Sequence, residues 1–137
     1  MNGLVQKKIS EFGLDKYIEY EGFQSDITVY YERASLFVLP SLWGEGCPTS
    51  ILEALSFSIP VVANNIDGIP ELINNGNDGL LLDANNVNGF KEIVKLLNNL
   101  DDLSVMGKRG RDKIKNDFTI ESCVNNHNNV INEILSN

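Results

Sequence analysis

The residues best placed to do chemistry lie in the run Leu39-Pro40-Ser41-Leu42-Trp43-Gly44-Glu45-Gly46-Cys47-Pro48-Thr49-Ser50-Ile51-Leu52-Glu53-Ala54-Leu55. An apolar stretch ends at Pro40, a polar loop with two glycines follows, and a helix is predicted to start at Pro48. Proline suits the first helical position because its missing N–H would have no intrahelical partner there. The N–H groups of Thr49 and Ser50 then point out of the helix start, where the macrodipole adds roughly half a positive charge. A phosphate is the natural occupant of such a place. Gly44 and Gly46 leave room for backbone to come close to a ligand.

Glu45 and Glu53 are eight positions apart, the first in the loop and the second in the second helical turn. Glu53 lies one turn after Thr49, on the side that can overlook the loop. An ionised carboxylate can accept from both hydroxyls of a ribose. A phosphate at the helix start and a sugar diol one turn along make a nucleotide pose, with Glu45 facing whatever the diphosphate carries. The alternative is that both glutamates are ordinary solvated carboxylates.

These residues need a scaffold, and the apolar spacing supplies one. Residues 3–12 place Leu4, Val5, Ile9 and Phe12 near helical spacing, and Gly13 stops that helix. Tyr17 to Glu21 alternates and reads as a short strand. Residues 22–25 form a turn, with Ser25 placed to cap a helix over 26–34. Leu36 to Leu39 is a continuous apolar run, as expected of a strand covered on both faces. A helix over 48–58, a strand over 60–64, a short helix from Pro70 to Ile73 and an apolar strand between Asp78 and Asp83 follow. Helices then fill 86–98, 101–116 and 119–135. Strands joined by helical crossovers predict an α/β fold, a Rossmann-like parallel sheet with helices on both faces. Such domains normally open with a strand, and here a helix comes first.

Composition narrows the function classes. The chain has 137 residues, about one domain, with 11 Lys+Arg against 19 Asp+Glu and a net charge of −8. That balance argues against a general nucleic-acid binder, which needs basic surface to displace counterions. No apolar run approaches the roughly 20 residues of a spanning helix, and residues 1–15 do not read as a signal peptide. Two cysteines, Cys47 and Cys123, make no disulfide framework. A cytoplasmic protein is expected, with the cytoplasmic face of the membrane as the variant of that placement.

Other chemistry-bearing residues carry less. His127 lies in an Asn-rich helix. Ser41, Asp83 and His127 include hydrolase-type residues, but no Gly-x-Ser-x-Gly elbow is present. Gly107-Lys108-Arg109-Gly110-Arg111 reads as a solvated basic face. Trp43 could stack a sugar or base, or simply pack. No Asp-x-Asp triplet or His/Cys ligand cluster is present.

The run from Pro40 to Ala54 resembles the GT-B glycosyltransferases of family 4, the retaining "glycosyl transferases group 1", whose C-terminal domain carries a pattern like Pro-Ser-x-x-Glu-Gly followed by Glu-Ala. One extra residue precedes Glu45 here. The resemblance continues through Ile59-Pro60-Val61-Val62-Ala63, Gly68-Ile69-Pro70-Glu71-Leu72-Ile73 and Asn77-Asp78-Gly79-Leu80-Leu81. Upstream, Gly13-Leu14 and Glu19-Tyr20-Glu21-Gly22-Phe23 are similar to the family's approach to the nucleotide base. Two departures stand out. Asp67 occupies a position often held by Gly, and Cys47-Pro48 replaces a bulkier run.

The resemblance implies a partial C-terminal donor domain over residues 1–137, with the N-terminal acceptor domain absent. By that likeness Glu53 would hold the donor ribose, and Glu45, with the backbone of Gly46 and Cys47, would contact the transferred sugar as the catalytic carboxylate. Pro48, Thr49 and Ser50 would meet the diphosphate, and Gly22 and Phe23 would lie beside the base. The expected partner is a nucleotide diphospho-sugar, with no cofactor and no metal. A sugar or glycolipid acceptor and peripheral membrane contact would need the missing half. The family's diphosphate-neutralising Arg and Lys are not matched, and Lys7 and Lys8 do not replace them. A chain of this extent is expected to be inactive alone. The other readings are a non-catalytic, partner-docking module and a sugar-nucleotide epimerase. Val124, Val130, Ile131, Ile134 and Leu135 would lose part of their burial without the N-terminal domain, which predicts marginal stability, self-association or assembly with a separately made partner.

Overall fold

The computed structural model describes residues 2–83 and 89–136. The chain divides into two compact units, the first running to Tyr30 and the second starting at Tyr31.

The first unit opens with α1 (Asn2–Glu11), which Gly13 ends as the spacing predicts. The Leu14 N–H folds back to the Ile9 carbonyl at 3.0 Å. The strand expected from Tyr17 to Glu21 is not formed. Instead the N–H groups of Tyr17 and Ile18 both turn back to the Leu14 carbonyl, at 2.8 and 3.0 Å. Alternation over five residues does not make a strand when no neighbouring strand offers a ladder. The turn before α2 (Thr28–Arg33) is closed by Asp26, whose Oδ1 accepts the Thr28 N–H at 2.9 Å. That role was expected of Ser25. The same hydrogen bond holds the Asp26 carboxyl below its usual range.

The second unit is built on β1 (Phe37–Leu39), β2 (Val61–Asn64) and β3 (Gly79–Leu82), all parallel and in that spatial order. Phe37 is opposite Val61, and Val61 is opposite Gly79. α3 (Thr49–Ser56) connects β1 to β2, and α4 (Ile69–Leu72) connects β2 to β3. All four β2 residues are buried. Successive strand side chains point to opposite faces, so both faces of the central strand are covered. On one face Val61 and Ala63 pack with Ile51, Ala54 and Leu55 of α3 and with Ile69, Leu72 and Ile73. Each large aliphatic side chain fully buried there contributes about 1.5–3 kcal/mol. On the other face Val38, Val62 and Leu82 meet Gly89, Phe90 and Ile93 of α5 (Gly89–Leu97) around a hollow of about 170 Å³. The predicted α5 start at 86–88 lies outside the described residues.

α6 (Leu100–Asp117) and α7 (Ile120–Ser136) complete the described chain. The run Gly107 to Arg111 is more than a solvated basic face, because Gly107 and Gly110 are buried. A Cβ on Gly107 would sit 2.0 Å from the Ser58 carbonyl oxygen, and one on Gly110 would sit 2.5 Å from Leu55 Cδ2. The glycines are what let α6 lie against the end of α3. Lys113, further along α6, donates to the Leu72 carbonyl at 2.8 Å and lies 3.8 Å from the buried Asp78 carboxylate. α7 buries none of its residues, and Val124, Val130, Ile131, Ile134 and Leu135 are all exposed.

Gly107→Ala is expected to destabilise the fold by about 2 kcal/mol, the overpacking cost less alanine's better helix propensity. Urea melts monitored by circular dichroism would read this as a lower midpoint. An unchanged midpoint would show that α6 does not depend on that approach.

Candidate functional site

The loop between β1 and α3 carries most of the residues singled out from sequence, all within the second unit. Pro48 has φ −67° and ψ 111°, an extended conformation, and stands at the N-cap of α3. It was expected one position later, as the first helical residue. Its carbonyl already accepts the Ile51 N–H at 3.1 Å, while its own φ/ψ remain outside the helix. Proline has no side-chain acceptor, so the N-cap residue makes no side-chain hydrogen bond to this helix. The Thr49 and Ser50 N–H groups therefore stand at the first two helical positions with the positive end of the macrodipole behind them. Thr49, Gly46 and Cys47 are exposed, and Ser50 and Pro48 are half-buried.

Glu45 is half-buried and tied at several atoms. Ser41 Oγ donates to its carboxylate. The Ser41 carbonyl in turn accepts from Nδ2 of the buried Asn64 at 2.9 Å. The Glu45 carbonyl accepts the Gly68 N–H at 2.9 Å. The Gly44 and Glu45 N–H groups both donate to Asp67 Oδ2, at 2.9 and 3.2 Å. A Cβ on Gly68 would come within 1.7 Å of the Gly46 carbonyl oxygen, so only glycine lets the two loops close on each other. Ser41 thus serves Glu45 and is not part of a hydrolase triad.

Glu53 is exposed one helical turn beyond Thr49. Its Oε2 accepts from the Tyr31 hydroxyl at 3.0 Å. Tyr31 is buried, its ring stacked on Phe57 with centroids 5.4 Å apart and tilted against Phe37 at 6.1 Å. The hydroxyl is thus a fixed donor that orients Glu53 from beneath and accounts for one of the carboxylate's several acceptor positions. Burial, together with the neighbouring Glu53 carboxylate, pushes the Tyr31 hydroxyl up to about 12.

Gly22 and Phe23 belong to the first unit. Gly22 has φ +65°, and Phe23 is 93% exposed. Lys7 and Lys8 pair with Glu11 at 3.9 and 3.2 Å, as surface lysines do. Trp43 is 77% exposed. His127 Nδ1 lies 2.8 Å from the Cys123 carbonyl, one turn back on its own helix. Among the described residues no group of three or more His, Cys, Asp or Glu is gathered in a way that could hold a metal. No described helix is long and apolar enough to cross a membrane. Sequence reasoning missed Tyr31 altogether. It noticed Asp67 only as a departure from a glycine position.

Residues 2–99 match the family described as glycosyl transferases group 1. The chain belongs to that family. A curated relative, the UDP-Gal:α-D-GlcNAc-diphosphoundecaprenol α-1,3-galactosyltransferase of Escherichia coli, is 38% identical over 122 residues, which cover 88% of this chain and 31% of that protein. Homologues include glycosyltransferases of bacterial polysaccharide synthesis. The chain spans about a third of the length of the curated relatives it matches. Among solved structures, HepE from Anabaena in complex with UDP-glucose aligns with a TM-score of 0.80 at 23% identity, over 98% of this chain and 36% of that one. The C-terminal domain of a group 1 glycosyltransferase, LpcC from Francisella tularensis, aligns with a TM-score of 0.75 at 24% identity, over 87% of this chain and 63% of that one. The fold is thus the α/β fold of the GT-B glycosyltransferases, represented by part of its length.

The Tyr31 contact has a pH signature. The folded chain keeps the Tyr31 proton above the ordinary tyrosine value of 10.0. Its stabilising contribution is therefore whole below pH 10 and falls as pH rises toward about 12. Alkaline absorbance titration of the folded protein is expected to contain a late-ionising tyrosine step that Tyr31→Phe removes. A titration curve that Tyr31→Phe leaves without loss of a late step would contradict the contact.

Proposed function

We propose that this chain is the donor-binding portion of a retaining glycosyltransferase. The whole enzyme would move a sugar from a nucleotide diphospho-sugar to a hydroxyl acceptor, in bacterial surface polysaccharide or glycoconjugate synthesis. The observation that carries this reading is the uncapped start of α3, with the exposed Glu53 carboxylate one turn along and oriented by Tyr31. The diphosphate sits at the Thr49 and Ser50 N–H groups, and Glu53 accepts from the ribose hydroxyls. Glu45 and the backbone of Gly46 and Cys47 face the transferred sugar. During transfer the bond from the anomeric carbon to the diphosphate oxygen breaks. The acceptor oxygen forms the new bond and passes its proton to the departing diphosphate oxygen. Charge that builds on the leaving diphosphate meets N–H dipoles already in place, which lowers the barrier without reorganisation. The group 1 relative named for UDP-Gal supports a nucleotide-sugar donor.

Acceptor binding belongs to a part of the enzyme outside these residues, so this chain alone binds donor without turning it over. The second reading, a partner-docking module without catalysis, draws support from α7, whose apolar residues are exposed along its length.

Isothermal titration with UDP, GDP and ADP separates the two. Saturable binding of at least one nucleotide is expected, weakened about tenfold or more by Glu53→Ala, as loss of a charge-assisted hydrogen bond implies. No binding of any of the three would overturn the donor reading.

A further inference from the structure

The geometry points to Asp67 as a positioning residue that sets the loop carrying Glu45. It resides on the segment leaving β2, on a different part of the chain from the loop it holds. Its Oδ2 takes the Gly44 N–H at 2.9 Å and the Glu45 N–H at 3.2 Å. Two successive N–H groups converging on one anion form a backbone nest, with the anion here supplied by the chain itself. Both bonds are charge-assisted and therefore stronger than amide–carbonyl bonds. The residue next to it completes the latch. The Gly68 N–H donates to the Glu45 carbonyl at 2.9 Å, and the absence of a Cβ at Gly68 admits the Gly46 carbonyl. Glu45 is thus fixed at its N–H by Asp67, at its carbonyl by Gly68 and at its carboxylate by Ser41.

The backbone of Asp67 shows that the acceptor matters. It adopts φ +46°, in the left-handed region that glycine enters most easily. Glycine would satisfy that conformation without strain but would leave the Gly44 and Glu45 N–H groups without this acceptor. Aspartate is among the few other residues that tolerate it, and it brings the carboxylate. Resting on the donor reading, the consequence is specific. Asp67 governs how Glu45 and the following Gly46 and Cys47 backbone meet the transferred sugar, and it has little to do with the nucleotide, which is held at α3 by Thr49, Ser50 and Glu53.

Two variants test this. Asp67→Gly removes the acceptor while keeping the backbone conformation free of strain. Asp67→Asn keeps an oxygen and tolerates the same φ but loses the charge. In amide hydrogen exchange followed by NMR without ligand, Gly44 and Glu45 are expected to exchange about tenfold faster or more in Asp67→Gly, with Asp67→Asn in between. In titration calorimetry the preferred nucleoside diphosphate among UDP, GDP and ADP is compared with its hexose conjugate (UDP-glucose, GDP-mannose or ADP-glucose). Asp67→Gly is expected to weaken the conjugate about tenfold and the bare nucleotide less than about twofold, with partial recovery in Asp67→Asn. Unchanged exchange at Gly44 and Glu45 would overturn the latch. Faster exchange with both ligands weakened equally, or neither, would overturn the positioning role while the latch stands. Wild-type protein that takes up no nucleotide would sink the donor reading and the positioning role with it, whatever the exchange rates.

Discussion

A helix with proline at its N-cap has no cap side chain to satisfy its first amides. Pro48 brings no side-chain oxygen to the start of α3, and the Thr49 that follows it is exposed. Most helices close this end with Ser, Thr, Asp or Asn, at a gain of about 1 kcal/mol. Here that gain is forgone, and the positive end of the dipole faces outward between an exposed loop and an exposed carboxylate. The rest of the second unit can be understood as support for that opening. The β2 strand, buried on both faces, fixes α3 through Ile51, Ala54 and Leu55. α6 then locks the far end of α3 through Gly107, which admits the Ser58 carbonyl, and Gly110, which admits the Leu55 side chain.

Two polar devices flank the opening, and both tie residues distant in sequence. Tyr31 reaches Glu53 from the core side, and its stacked ring leaves the hydroxyl little freedom. Asp67 reaches the loop from the neighbouring strand's exit. Each fixes a carboxylate-bearing segment before any ligand arrives. Fixing a site in advance reduces the ordering cost at the moment of binding. In the proposed reading this division of labour is physical: Tyr31 with Glu53 for the nucleotide, and Asp67 with Glu45 for the sugar it carries.

What could be seen in the sequence was whatever depends on near neighbours. Continuous apolar runs marked β1, β2 and β3, but only β2 is buried at every residue; β1, expected to be covered on both faces, leaves Val38 exposed because it lies at the edge of the sheet. The proline and its following hydroxyl residues marked the α3 start to within one position, and the ordered motifs from Pro40 to Leu81 pointed to the family. What stayed hidden depends on the fold. Tyr31 and Glu53 are 22 residues apart, and Asp67 lies 23 from Gly44, so no local spacing announces either contact. The basic run at Gly107 looked like surface because its charges were conspicuous, while its glycines carried the packing information. Tyr17 to Glu21 failed in the opposite direction: its local alternation was right for a strand, but its N–H groups found a closer acceptor in Leu14.

The claim at the centre is that a pyrophosphate occupies the open end of α3. Backbone ¹⁵N–¹H spectra recorded during addition of UDP and, separately, of uridine test it directly. The Thr49 and Ser50 amide signals are expected to move with saturating UDP and stay in place with uridine, since only the former carries phosphates to those N–H groups. UDP that binds while both amides remain still, or uridine that moves them equally, would contradict it.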